Sequence, residues 1–350
     1  MGNYRPGDKI FIFGFSRGAF VARVLADFVA RVGIYKTAKA KYERCYASAL
    51  KAYKDGTLDR DIERYQYDIT EDGERVLKVH RVEIEVLGCW DTVGSLGFPW
   101  SGAGDASLEF KYLSPTLVKG IRHAFHALAL DEYRRTFSPT MWYLPKGAEV
   151  AKTIDLQQCW FPGAHRNVGG AYHDQALADL SFFWMLDRCR PFLDFDPEYI
   201  KYVVDTHYQS SQSEDDSDRP SRLDHVDGYD MEYQGWGRER CYDSYRLGGT
   251  WLWKYRTPGA YGGGDEGTNL TNESIHPSVR ARWQSSREDG GELKDGPGVY
   301  APEALRGFEP REGANRQWEW VKKVNEAEVL TIPEENRKEV LVNLEVPFPT

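Results

Sequence analysis

Apolar positions cluster early in the chain. Lys9-Ile10-Phe11-Ile12-Phe13 is a short apolar run of strand type. After it, Phe20, Val24, Phe28 and Val32 recur near one face of a helix that Gly33 ends. Residues 36–66 continue as charged and aromatic helix, broken at Asp55-Gly56. Residues 79–89 alternate and then become continuously apolar, which predicts a second strand. Trp90-Asp91-Thr92-Val93-Gly94-Ser95 follows it, and a loop rich in Gly, Pro and Ser runs to about Ser114, read as a lid or pocket wall. A helix is expected over residues 115–135, carrying His123, His126, Asp131, Glu132 and Arg135. A third strand over 153–161 leads into Pro162-Gly163-Ala164-His165-Arg166-Asn167-Val168-Gly169-Gly170 and then a helix over 175–190.

Strands alternating with helices predict an α/β fold with a mainly parallel sheet flanked by helices. Residues 210–222 are polar and acidic and read as a linker or loop. They separate an expected core, 1–209, from a Trp/Tyr/Gly-rich extension over 223–350 that packs on it. The last part of that extension, from residue 285, is charged, punctuated by Gly and Pro, and expected to be peripheral. There is no internal repeat.

Composition narrows the class. The chain has 350 residues, 41% hydrophobic and 28% charged, which suits a soluble globular protein with a sizeable core. Its net charge of -9 argues against a nucleic-acid surface. No apolar run approaches the ~20 residues of a membrane span, and the first residues lack the apolar centre of a signal peptide. A cytoplasmic location is therefore the expectation. Five cysteines, Cys45, Cys89, Cys159, Cys189 and Cys241, form no C-x-x-C pair and read as reduced, mostly buried thiols. Aromatic residues make up 14% of the chain, which fits either a core of large side chains or an aromatic pocket suited to acyl groups.

The chemistry sits in Gly14-Phe15-Ser16-Arg17-Gly18. This is G-x-S-x-G between a strand and a helix, the setting of a nucleophile elbow, where a sharp turn lifts the serine hydroxyl clear of the sheet. Both glycines are expected to be needed because a Cβ there would meet the neighbouring strand and helix. Ligands of parallel α/β sheets bind beyond the carboxyl ends of the strands. Ser16, Asp91 and His165 stand at three successive predicted strand ends, in the order Ser, acid, His of α/β-hydrolases. A serine hydroxyl needs an imidazole to take its proton, and an ionised carboxylate holds that imidazole. The backbone N–H of Arg17 would donate to the oxyanion. The plainer readings are Asp91 as a turn or cap residue and His165 as a structural hydrogen bonder. His123, His126, His173 and His276 compete less well for the role of base. Tyr261-Gly262-Gly263-Gly264-Asp265 lacks the Lys-Ser/Thr of a phosphate loop, and no spacing suggests metal ligands. No cofactor is expected.

These blocks resemble the uncharacterised α/β-hydrolase domain family that includes type VI secretion lipase effectors. Residues 4–20 look like its elbow, 90–95 its acid block, 126–132 its central helix, 160–170 its histidine block and 275–280 its C-terminal block. The resemblance implies Ser16 as nucleophile, Asp91 as acid and His165 as base, and it implies ester hydrolysis with phospholipids among the substrates. The expected partners are an ester or lipid substrate, transiently a membrane surface, and a second copy through an exposed strand edge. Members of the family begin upstream, with a strand ending in an Asp-Gly-Thr block, whereas this chain opens almost at the elbow strand. A first strand without neighbours would be an association hazard, and the second oxyanion N–H normally comes from an early loop. The expectations are a truncated chain, an open sheet completed by another chain, or a relative that has lost catalysis and serves as a binding or assembly module. An acyltransferase would use the same triad.

Overall fold

The computed structural model describes residues 4–36, 40–94, 115–145, 148–172, 175–203, 241, 253–261, 271–288, 292–293, 296–297, 300–313, 316–324 and 327–335. The predicted lid, the acidic stretch 210–222, His173 and most of the Gly-rich 261–265 segment lie outside them. Five strands form one sheet in sequential order: β1 (Ile10–Phe15), β2 (Ile84–Trp90), β3 (Ile121–Ala129), β4 (Asp155–Phe161) and β5 (Glu273–Ile275). The β1–β2 and β4–β5 pairs are parallel. Helices α1 (Arg17–Val32), α2 (Ala40–Lys54) and α3 (Leu58–Gln66) follow β1. Beyond β4 come the single turn α4 (His165–Val168) and α5 (Ala176–Cys189), and beyond β5 comes α6 (Pro277–Glu288). This is the α/β sheet flanked by helices that the alternation of the sequence predicts.

The chain divides into two compact units, residues 1–125 with 140–156, and residues 126–139 with 157–350. In the first unit, α1 turns Ala19, Ala22, Val24, Ala26, Phe28, Val29 and Val32 inward. They join Ile84, Leu87 and Cys89 of β2, Ile121 and Ala124 of β3, and Leu156 in one apolar core. Each large side chain so buried contributes about 1.5–3 kcal/mol, enough to hold β1 and α1 rigidly about the turn between them. On the outer side of this unit β1 ends the sheet order, and Phe13 is 43% exposed.

The second unit contains a feature that sequence reading did not anticipate. Strands β6 (Phe308–Glu312), β7 (Trp318–Val324) and β8 (Ala327–Pro333) form an antiparallel sheet. It closes over Trp320 and Ile332, both essentially buried. The sheet is tied to β5 by the Glu335 N–H donating to the Ile275 carbonyl, and to α6 by an Arg280–Glu334 ion pair at 2.9 Å. These three strands thus form a sheet bonded to β5 and α6.

Two expectations about elements are corrected. The helix expected over 115–135 is the nine-residue strand β3. Its run of Ala124, Phe125, His126, Ala127, Leu128 and Ala129 is buried throughout, because it lies between two neighbouring strands with both faces covered. A strand buried on both faces shows no alternation, so its pattern cannot be told from a buried helix. The strand expected over 79–89 is also split. Val79–His80 pairs antiparallel with Ile34–Tyr35, and only from Ile84 does the chain enter the main sheet.

Candidate active site

In the first unit, β1 and β2 run parallel with Gly14 opposite Cys89 and Phe15 opposite Trp90. The next residues, Ser16 and Asp91, therefore leave the carboxyl ends of adjacent strands side by side. The Ser16 N–H donates to the Trp90 carbonyl at 3.0 Å. Both residues have left-handed backbones, Ser16 at φ 59° and Asp91 at φ 40°. Such conformations cost roughly 1–3 kcal/mol each for a residue with a side chain and gather at functional sites. Here the helix immediately after Ser16 enforces the turn. The Phe20 N–H donates to the Ser16 carbonyl at 3.3 Å, and α1 begins at Arg17 with its first-turn N–H groups at the same end of the strands.

Gly14 makes the sharp turn possible. A Cβ on it would lie 2.6 Å from the Gly18 carbonyl oxygen and 2.8 Å from the Ala19 Cα. A Cβ on Gly18 would meet nothing within 4 Å. The expectation that both glycines answer to crowding is therefore corrected: Gly14 does, and Gly18 occupies open space at the start of the helix.

Asp91 is fully buried, as is Thr92. Their turn is braced by residues that sequence reading overlooked. The Thr140 N–H donates to the Thr92 carbonyl at 2.9 Å. Arg23, buried on the inner face of α1, donates to the carbonyls of Thr140 and Met141 and lies 4.4 Å over the Trp142 ring. Burial brings its guanidinium down to about 10, so it remains charged at neutral pH. An arginine at this depth signals a polar task, and its position on the apolar face of α1 was the available clue. Neighbouring Cys89 is pushed up to about 12, chiefly by burial, so it is a packed thiol rather than a rival nucleophile.

His165 belongs to the second unit, where it begins α4 and is 4% exposed. Its loop is fixed by its own sequence. Gly163 has φ 103°, and a Cβ on it would lie 2.7 Å from the Asn167 Cβ. The Asn167 side chain accepts the Ala164 N–H at 3.1 Å. The Asp131 N–H donates to the Gly163 carbonyl at 3.1 Å, and the Asp131 carboxylate accepts the Gly163 N–H at 2.6 Å. Glu132 accepts the His165 N–H at 3.3 Å. Because β3 lies between β2 and β4, the ends carrying Asp91 and His165 are not those of successive strands, which corrects that part of the sequence reading.

The other described histidines have structural settings. His126 Nδ1 lies 3.2 Å from Gln158 Oε1 in the sheet interior, and His123 Nδ1 lies 3.3 Å from Asp155. His276 stacks on Phe161 and accepts the Ser278 N–H at the start of α6. Among the described residues, no group of three or more His, Cys, Asp or Glu could hold a metal, and no helix is long and apolar enough to cross a membrane.

Residues 1–188 match the family model of the type VI secretion phospholipase effector Tle1-like catalytic domain. The chain is similar to the uncharacterized protein YEL023C of Saccharomyces cerevisiae, 32% identical over 151 residues that cover 41% of this chain and 20% of that protein. It also shares 23% identity with the Tle1 effector solved bound to the VgrG spike of the type 6 secretion system. That match covers 46% of this chain and 24% of the effector at a TM-score of 0.19. The chain thus spans between a fifth and a quarter of the length of these relatives.

Proposed function

The chain belongs to the family of Tle1-like phospholipase effector catalytic domains, and from that premise we propose that it is a serine hydrolase of carboxylic esters, with acyl lipids and phospholipids as its substrate class. The observation that carries the reading is the elbow. Ser16 sits at φ 59° between a strand and a helix that approach closely enough to exclude any side chain at Gly14. That geometry costs roughly 1–3 kcal/mol for a residue with a side chain.

In the proposed reaction, Ser16 Oγ attacks the ester carbonyl as His165 takes its proton. Asp91 stabilises the resulting imidazolium. The carbonyl oxygen becomes an oxyanion, which the Arg17 N–H and the amino end of α1 meet with positive charge. The carbon–oxygen bond to the alcohol then breaks, and His165 returns the proton to the leaving oxygen. Water repeats the sequence on the acyl-enzyme and releases the acid. Asp91 suits its part because it is fully buried beside the serine turn, where a fixed charge acts more strongly than in water.

Turnover of p-nitrophenyl esters and of mixed phospholipid vesicles by the purified chain tests the proposal. Wild type is expected to hydrolyse at least one of these, Ser16→Ala and His165→Ala to be inert, and Asp91→Asn to lose about 10⁴-fold in kcat. Hydrolysis that survives Ser16→Ala would remove the serine from the mechanism.

A further inference from the structure

The segment after β3, residues 131–137, touches His165 from two sides. On the backbone side, the Glu132 carboxylate is only 2% exposed and accepts the His165 N–H at 3.3 Å. That N–H opens the short α4 and has no partner within its own helix. On the ring side, Phe137 presents its ring to the imidazole in a T-shaped contact, 4.8 Å between centroids and 77° between planes.

Arg134 joins the two sides. Its main-chain N–H and Nε donate to Glu132 Oε1 at 2.8 and 2.9 Å, and its Nη2 donates to Glu132 Oε2 at 2.7 Å. The same guanidinium lies 3.6 Å over the Phe137 ring. A buried carboxylate is bonded at both oxygens by a guanidinium that also lies over the aromatic ring. Arg256, itself buried, fixes the far end of the segment by donating to the Phe137 carbonyl at 2.9 Å and to the Ala129 carbonyl at 2.6 Å. Main chain and ring plane of one histidine are thus set by a single seven-residue stretch.

We propose that Glu132, Arg134 and Phe137 form a clamp that orients the His165 imidazole, and that they are positioning residues for the proton transfer; this rests on His165 being the base of the proposed hydrolase. A general base must lie within hydrogen-bond reach of its proton, and a misplacement of about 1 Å costs on the order of 10²-fold. A histidine bonded at its backbone N–H by Glu132 and packed at its ring against Phe137 is restricted in the rotamers it can adopt.

The test compares wild type, Ser16→Ala, His165→Ala, Phe137→Leu, Glu132→Ala and Glu132→Gln. It reads kcat and KM on a p-nitrophenyl ester, thermal melting, and the His165 Cε1–H resonance. Phe137→Leu is expected to lower kcat about tenfold with KM unchanged, and to move the resonance because the neighbouring ring current is gone. Glu132→Ala is expected to fall further, and Glu132→Gln to recover part of the loss, since its amide oxygen still accepts the His165 N–H. Should Glu132→Ala fail to fold, Glu132→Gln and Phe137→Leu carry the comparison. Wild-type kcat and an unmoved resonance in folded Phe137→Leu and Glu132→Gln would overturn the clamp while leaving an active, Ser16-dependent enzyme intact. An inert wild type would instead overturn the hydrolase reading, and the clamp's positioning role with it.

Discussion

At the scale of single residues, the site spends conformational energy side by side. Ser16 and Asp91 are both non-glycine residues at positive φ on adjacent strands, and the crowding around Gly14 holds the first of them in place. The two glycines of the motif should therefore respond differently to the same change. Gly14→Ala puts a methyl group 2.6 Å from the Gly18 carbonyl oxygen. The strand and helix must part, with an expected loss of roughly 1–3 kcal/mol and of all hydrolysis. Gly18→Ala meets open space in a helix, where alanine is favoured by roughly 0.5–1 kcal/mol, so melting temperature is expected to hold or rise with activity retained. Thermal melts and ester turnover of the two variants check this. Equal damage from both would mean that the motif's second glycine has a role the packing does not reveal.

At the scale of elements, legibility followed the local rules each element obeys. The β1–turn–α1 unit was legible because a strand, G-x-S-x-G and an amphipathic helix constrain one another over about twenty residues. β3 was not, because its composition of Ala, Leu, Phe and His carries no alternation once both faces are buried. With a helix expected over 115–135, Asp131 and Glu132 fall within it, and their hold on the histidine loop is out of the sequence's reach. The β6–β8 sheet did leave a trace. Along β7 Glu319 alternates with the buried Trp320, and Arg311 bridges Glu319 and Glu328. Strands this short and charged fall below the weight of the surrounding Gly and Pro.

Element packing also sets a pH dependence. Glu273 of β5 is buried and accepts bonds from Trp160 Nε1, the Gly259 N–H and the Thr271 hydroxyl, joining β4, β5 and the segment before β5. Burial raises its carboxyl above the usual carboxylate value, and these hydrogen bonds oppose the rise only in part. A carboxyl whose folded value is raised favours the folded state while it is protonated. Its contribution is full below the unfolded value of about 4.3 and is lost as pH rises through the raised folded value. Glu273→Gln keeps a neutral acceptor and removes this term. Unfolding free energy measured across that range should decline more steeply with pH in wild type than in Glu273→Gln. Parallel slopes would show that the carboxyl does not titrate there.

At the scale of the whole molecule, the elbow and the family model both support the proposed hydrolase. How the proposed base is held was out of the sequence's reach, because that depends on residues 131–137 meeting 163–165, which lie far apart along the chain. The central claim is that Ser16 is a nucleophile activated by His165. Intact-mass spectrometry after exposure to a fluorophosphonate probe tests it most directly, with Ser16→Ala and His165→Ala beside the wild type. A single adduct is expected on the wild type, none on Ser16→Ala, and labelling slowed by at least about 10³-fold on His165→Ala. A folded wild type that takes up no probe, or a Ser16→Ala protein that labels as readily, would contradict it.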